Sequence, residues 1–331
     1  MMGGFLGFCY RQLRFKPKPL APFISLEGKT ALITGANSGL GFEAARELVE
    51  HNLSRLIIAV RDVAKGKAAK EAILESVPSS CEIEVWELDY ESYYSIVEFS
   101  EQIASLHRLD YTLLSAGVKK MQYSTSTLGH ESNVQVNHIG TSAVSLSVLP
   151  VLQKTAQMMK CRACLTIVSS ESHFWIPFNE RMSDDILERM DEKETFGRRM
   201  QRYNTTKLLN VLWVRELASK MSTTNVVINA VNPGFCHSGL HGRGSSTRTK
   251  ILLRLLGWTS VQGGHCLTDA LVQQKDSHGG YLSQQKPKRQ VTRPSPFVLS
   301  AEGRTIQKKI WHETINLLKE EAPGVNTTVA V

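Results

Sequence analysis

Short apolar runs alternate with amphipathic stretches along most of the chain. Lys29-Thr-Ala-Leu-Ile-Thr34 reads as a buried strand that ends in a glycine-rich turn. Residues 42–51 then carry apolar side chains at helical spacing. The alternation continues with strands over 56–60, 83–88 and 111–114 and helices over 63–76 and 92–106. Further on, the spacing predicts a helix over about 129–155, a strand over 165–168, a helix over 203–220 and a strand over 226–231. Strands that alternate with helices form right-handed βαβ units. The expected fold is therefore α/β, a single doubly wound parallel sheet with helices on both faces, spanning 28–331. Its cofactor-binding half covers about 28–160 and its catalytic and substrate half about 161–331.

Composition narrows the class. Of 331 residues, 42% are hydrophobic and 21% charged, which supplies a core and excludes disordered, collagen-like and coiled-coil chains. No run approaches the roughly 18 uninterrupted apolar residues that span a bilayer. The net charge of +8 is unevenly placed. Residues 1–20 hold Arg11, Arg14, Lys16 and Lys18 without an acid, and residues 231–260 hold Arg243, Arg248, Lys250 and Arg254 without an acid. Residues 286–304 are also basic. A nucleic-acid binder concentrates charge on one face of a folded module, interleaved with aromatics. Charge at an end, in a loop and in a proline-containing tail argues against nucleic acid, and for solvated edges or attraction to anionic surfaces.

Six cysteines in a chain of this length do not make a disulfide framework. Cys161-Arg-Ala-Cys164 has half the spacing of a zinc site but no second pair, so reduced thiols and no metal are expected, in a reducing, cytoplasmic compartment. Residues 1–27 have the charge order of a secretory signal reversed, and Gly3 lacks the Ser or Thr that myristoylation requires. They read as an extension packed over the domain of a largely soluble protein, with peripheral membrane contact the minority reading.

The first turn carries chemistry. Thr34-Gly35-Ala36-Asn37-Ser38-Gly39-Leu40-Gly41 places three glycines between a buried strand and a helix. Such a turn brings backbone close to a pyrophosphate, which then rests on the helix N-terminus. In a Rossmann-type unit an acid at the end of the second strand would bind the ribose 2′-hydroxyl of NAD. Arg61 occupies that place, and a guanidinium suits a 2′-phosphate. Asp62, one residue later, reads as a helix N-cap, and Lys65 adds a second cation nearby. The cofactor expected is NADP(H).

These residues and several others in order resemble the short-chain dehydrogenase/reductase family, in its retinol-dehydrogenase-like branch with fungal members, from about 25 to 318. Thr34 to Gly41 matches TGxxxGxG, and Tyr203-Asn-Thr-Thr-Lys207 matches YxxxK. Asp89 matches the acid set against the adenine, Asn137 the helix-four asparagine and Ser170 the catalytic serine. Asn232-Pro233-Gly234 and Ser238 match the segment that holds the nicotinamide, which brings Cys236 with it. The resemblance implies Ser170, Tyr203, Lys207 and Asn137 as catalytic. Ser170 would hold the substrate oxygen, Lys207 would stabilise the Tyr203 phenolate, and Asn137 would position a relay water. Tyr203 and Lys207 also join the cofactor set, with Ser115 and Gly117 of Leu114-Ser-Ala-Gly117.

Two departures stand out. Ser115 replaces the family's asparagine and loses an amide. Ser170 and Tyr203 lie 33 residues apart, and the insert, with Phe174-Trp-Ile-Pro-Phe178 and a helix over 183–192, is expected to wall the substrate pocket. His173 near Ser170 could suggest a hydrolase, but no GxSxG elbow surrounds the serine, so a pocket-lining histidine is expected. The segment after Ser238, apolar with interspersed cations over 251–258, reads as a lid over a lipophilic substrate, or else as a helix on a membrane surface.

The reading is an NADP(H)-dependent oxidoreductase interconverting a ketone or aldehyde and an alcohol on a lipophilic small molecule, with a biosynthetic reductase of secondary metabolism favoured. Alternatives are a retinol- or steroid-type dehydrogenase, and a dinucleotide-binding regulatory protein without turnover. A homo-oligomer is compatible with all of these.

Overall fold

The computed structural model describes residues 5–221, 225–241, 247–285 and 293–327. Seven parallel strands form one sheet in the order β3-β2-β1-β4-β5-β6-β7. They are β1 (Thr30–Thr34), β2 (Arg55–Val60), β3 (Glu82–Glu87), β4 (Tyr111–Leu114), β5 (Ala163–Val168), β6 (Val226–Asn232) and β7 (Tyr281–Ser283). Six of these match the expected runs within two residues at each end. The seventh, three residues beyond Gly279 and Gly280, is too short to show a pattern and forms by pairing with β6 from Tyr281 opposite Ala230.

The helices in chain order are α1 (Phe5–Arg14), α2 (Gly39–Glu50), α3 (Val63–Ser76), α4 (Tyr93–Ala104), the single turn α5 (Ser132–Val134) and α6 (Thr141–Met158). They continue with α7 (Ile186–Asp191), α8 (Gln201–Lys220), α9 (Thr247–Leu256), α10 (Ser260–Thr268), α11 (Pro296–Leu299) and α12 (Ala301–Glu321). Successive strand residues point to opposite faces, so each strand feeds two cores. On β1, Leu32 joins the core under α4, α6, α8 and α12, while Ala31 and Ile33 join the one under α2 and α10. Strand order reverses between β1 and β4. In open α/β sheets such a switch point opens a crevice at the carboxyl ends of the strands.

One expected element is different in kind. The helix predicted over 129–155 is interrupted, because residues Gln135–Gly140 form a π-helical turn between α5 and α6. Apolar spacing does not register one residue inserted into a turn, and such insertions gather at functional sites. Asn137 sits within it.

The extension is tied down by buried polar groups. The Glu47 carboxylate on α2 accepts from the Leu20 amide at 2.7 Å, the Thr268 hydroxyl at 2.6 Å and the His265 ring at 3.0 Å. Burial alone would raise its pKa; the hydrogen bonds from His265, Thr268 and Leu20 overcome this and hold the carboxyl below its usual range.

A second buried group fixes the start of α8. The Arg202 side chain is fully buried, donates to Glu180 at 2.9 Å and to Thr195 at 2.8 Å, and lies 4.0 Å from Glu131. Glu131 in turn accepts the amides of Asn133 and Val134. Removing the cation would leave buried carboxylates unpaired, which costs about 3–5 kcal/mol. Arg202→Met should therefore lower the unfolding free energy by about that amount in urea titration. A loss below about 1 kcal/mol would show that the apolar isostere replaces the ion pair.

Candidate active site

The crevice is a cleft of about 1980 Å³ at the carboxyl ends of the strands. Its floor begins at the glycine turn. Gly35 adopts φ +70°, and a Cβ there would lie 2.9 Å from the Ala116 Cα; a Cβ on Gly41 would lie 2.8 Å from the Gly35 carbonyl. No side chain fits at either position, so bare backbone faces the cleft beside Asn37, Ser38, Gly39 and Leu40. Ser38, the N-cap of α2, is extended and makes no side-chain cap bond. The opening amides of α2 are thus left without a side-chain acceptor, the arrangement that receives a phosphate. The donor set fits a dinucleotide.

Around this turn the cleft is lined by Arg61, Asp89, Ser115 and Gly117. Arg61 is 65% exposed and lies 3.2 Å from Glu91. Asp89 accepts the Glu91 amide at 3.0 Å. Ser115 and Ala116 donate their amides to the Thr34 hydroxyl, each at 3.1 Å, so this loop is held through its backbone where the family uses an asparagine side chain. Asp62 caps α3 by accepting the Lys65 amide, as its position predicts.

The catalytic candidates meet at the end of β5. The Tyr203 hydroxyl lies beside the Ser170 side chain; burial pushes its pKa up to about 12 against the lowering effect of Ser170. Lys207, one helical turn on, donates to the Val168 carbonyl at 2.9 Å, and its Nζ lies 5.7 Å from the Tyr203 ring centroid. Burial pulls its pKa down to about 8. Pro233, Gly234 and Ser238 line the same cleft from the loop after β6. Asn232 shapes that loop by accepting the Glu171 amide at 3.1 Å and the Gly234 amide at 3.2 Å.

Four of the expected residues are not among those that line the cleft. Asn137 does not line the cleft. Its amide group bonds both backbone atoms of Val118 at 2.8 Å and the Thr206 hydroxyl at 3.1 Å. It approaches Lys207 only across Gly117, whose Cβ would lie 3.0 Å from Asn137 Oδ1 and 3.7 Å from Lys207 Nζ. Lys65 also stays off the cleft, because its ammonium pairs with Asp62 at 2.8 Å on the same helix turn. Cys236 is buried against Trp258 and Cys266, with its Sγ on the Pro233 carbonyl at 3.3 Å. His173 is not a pocket wall. Its Nε2 accepts the Ser295 amide at 3.1 Å, which leaves Nδ1 protonated to donate to the Ser170 carbonyl at 2.7 Å. Burial holds this ring neutral, with its pKa near 4. It is a strut beneath the serine loop.

The insert behaves partly as expected. Trp175, Ile176 and Pro177 line the cleft, whereas α7 packs against α12 and its three buried residues enter the core. Leu240, Thr247, Thr249 and Leu252 line it from the following segment. Arg243 lies outside the described residues, as does the Arg248 side chain.

Sequence reasoning missed that α1 is a wall of this cleft. Phe8 lines it, edge-on to Trp175 at 5.6 Å and to Phe235 at 5.9 Å. Gln12 donates to the carbonyls of Phe235 at 3.1 Å and Leu256 at 2.9 Å and accepts the Phe235 amide at 3.2 Å. Trp258 returns a bond to the Gln12 carbonyl at 2.9 Å, and Arg11 pairs with Glu171, the residue after Ser170. Phe8 and Gln12, one turn apart, form the buried face of the helix, but nothing in the chain named its partner.

A fold with this strand order, a glycine cradle at its switch point and a Ser-Tyr-Lys cluster beside it defines a nicotinamide-dinucleotide oxidoreductase of the short-chain type. The short chain dehydrogenase family model matches residues 29–160. The short chain dehydrogenase sol3 of Alternaria solani is 54% identical over 284 residues, covering 86% of this chain and 99% of its own. The short chain dehydrogenase/reductase dmxR8 of Cryptosporiopsis sp. is 37% identical over 330 residues, covering 97% and 99%. A solved structure of a protein from Mycobacterium paratuberculosis has the same fold, with a TM-score of 0.66 at 22% identity over 92% of this chain and 98% of its own. The chain belongs to the short-chain dehydrogenase/reductase family.

Proposed function

We propose that the protein is an NADP(H)-dependent oxidoreductase that interconverts a ketone or aldehyde and an alcohol on a lipophilic small molecule, as a reductase of secondary-metabolite biosynthesis. The observation that carries this reading is the meeting of Ser170, Tyr203 and a buried Lys207 in the cleft that the glycine cradle opens.

Carbonyl reduction adds a hydride to carbon and a proton to oxygen. A nicotinamide dinucleotide held by the Gly35–Gly41 turn would supply hydride chemistry in either direction. Ser170 holds the carbonyl oxygen as an oxyanion donor does, and aims it at Tyr203. With a pKa near 12, Tyr203 is protonated at neutral pH and donates to that oxygen. Each pKa unit by which the phenolate is stabilised is worth about 1.4 kcal/mol, and Lys207 supplies this as a nearby cation. Asn137 acts at one remove, tying the loop after β4 to α8 so that Lys207 keeps its place.

Two further features support the finer parts of the reading. For the cofactor, Arg61 directly follows β2 where NAD binders carry an acid, and Asp62 is spent on capping α3. For the substrate, the cleft is walled by Phe8, Trp175, Ile176, Leu240 and Leu252, which suit an apolar body better than a polar one.

Tyr203→Phe should abolish turnover in an NADPH-absorbance assay on a carbonyl panel while cofactor binding persists; retained turnover above a few per cent of wild type removes Tyr203 from the mechanism. Arg61→Ala should weaken NADPH binding by about 1.5–3 kcal/mol, the worth of a charged hydrogen bond, and leave NADH nearly unchanged. Equal losses in titration would assign Arg61 to the fold. The Lys207 pKa is depressed, so its cation persists only below about 8. The kcat/KM for reduction should therefore fall as pH rises through about 8, and a profile flat well past that value would mean that the Lys207 charge is not used.

A further inference from the structure

The two helices that wall the mouth of the cleft each present a second, outward face. On α1, Phe8 and Gln12 point inward, while Leu6, Tyr10 and Leu13 point to solvent. On α9, Leu253 is buried and Leu252 lines the cleft, while Ile251 and Leu255 point to solvent. These five outward apolar side chains are between 55% and 72% exposed. They follow helical spacing, so each set shares one helix face. The helices touch, and Gln12 on α1 bonds the Leu256 carbonyl at the end of α9. The two exposed apolar faces thus belong to neighbouring helices at the mouth of the cleft.

The charged side chains carried by these two helices have one sign, although Glu171 pairs with Arg11 on the inner side of α1. Arg14 and Lys16 at the end of α1, and Lys250 and Arg254 on α9, are all exposed. No acid occurs anywhere in residues 1–20 or 231–260. An apolar strip edged by cations is the pattern of a helix lying in the interface of an anionic bilayer. A second copy of this chain would bring the same cations against themselves, which disfavours self-association through this face.

We propose that α1 and α9 together dock the mouth of the cleft on an anionic phospholipid surface. Leu6, Tyr10, Leu13, Ile251 and Leu255 enter the acyl boundary while the four cations meet headgroups. The inner residues of the same helices, Phe8 and Leu252, then line a path from the lipid into the cleft. The proposal reverses the expectation of a largely soluble protein, because the juxtaposition of two distant segments is visible only in the folded chain. It does not depend on the reaction assigned above.

Vesicle flotation of the full chain tests it, with phosphatidylcholine alone and with phosphatidylcholine containing phosphatidylserine, at low and high salt. Binding should be several-fold stronger to the serine-containing vesicles and largely released by salt. Lys250→Glu with Arg254→Glu should weaken it about 25-fold or more, at about fivefold per cation removed. Leu13→Ser and Leu255→Ser should each weaken it about tenfold, and Met182→Ser, an exposed apolar residue elsewhere, should not. All substitutions are on exposed side chains, and unchanged circular dichroism and thermal melting would show that the fold is kept. Equal affinity for both vesicle types, or patch variants that bind like wild type, would overturn the proposal. So would a wild-type dimer, seen by sedimentation, that Leu13→Ser or Leu255→Ser converts to monomer, because the face would then belong to a second copy.

Discussion

Placing a cation in the interior at the end of a parallel strand is the constraint on which the site depends. Lys207 is buried, and an isolated buried ammonium is expensive unless it is hydrogen-bonded. The carbonyl of Val168, the last residue of β5, provides the acceptor at 2.9 Å. The crevice at the sheet's switch point supplies the space. The cost shows in the depressed pKa of Lys207, and the benefit is a nearby charge in a medium where charges act strongly.

Several distant segments hold that arrangement. Arg202, the neighbour of Tyr203, draws Glu131 and Glu180 to the start of α8 and so sets the direction from which Tyr203 and Lys207 enter the cleft. Asn137, in the π-helical turn, grips Val118 on one side and Thr206 on the other. His173 supports the Ser170 carbonyl from behind. None of these three side chains lines the cleft, yet each fixes a residue that does. Their burial and their hydrogen bonds favour one geometry over a flexible site.

The substrate side is built differently. Phe8, Trp175 and the pair Phe235 and Leu252 come from three distant parts of the chain and meet through aromatic edges and the Gln12 bonds. The polar cofactor side is made of short-range turns whose conformation is set by residues next to one another, such as Gly35 at φ +70°. One side of the cleft is local and the other is assembled.

That contrast also separates what the chain alone determined from what folding decided. The six longer strands, the glycine turn, the Asp62 cap and the Tyr203–Lys207 spacing were legible because each depends on neighbours within a few residues. Apolar runs, glycine conformations and helical periodicity are local properties. The tertiary structure decided the rest. It buried Cys236 and His173, put a π-turn inside an apolar stretch and added β7 by pairing alone. It also brought α1 against the loop after β6 through hydrogen bonds that span 223 residues of sequence. An amphipathic stripe states that a helix must be covered, but not by what. Only packing across the whole chain selects the partner, because that choice depends on shapes and unpaired backbone groups that do not exist until the sheet has formed.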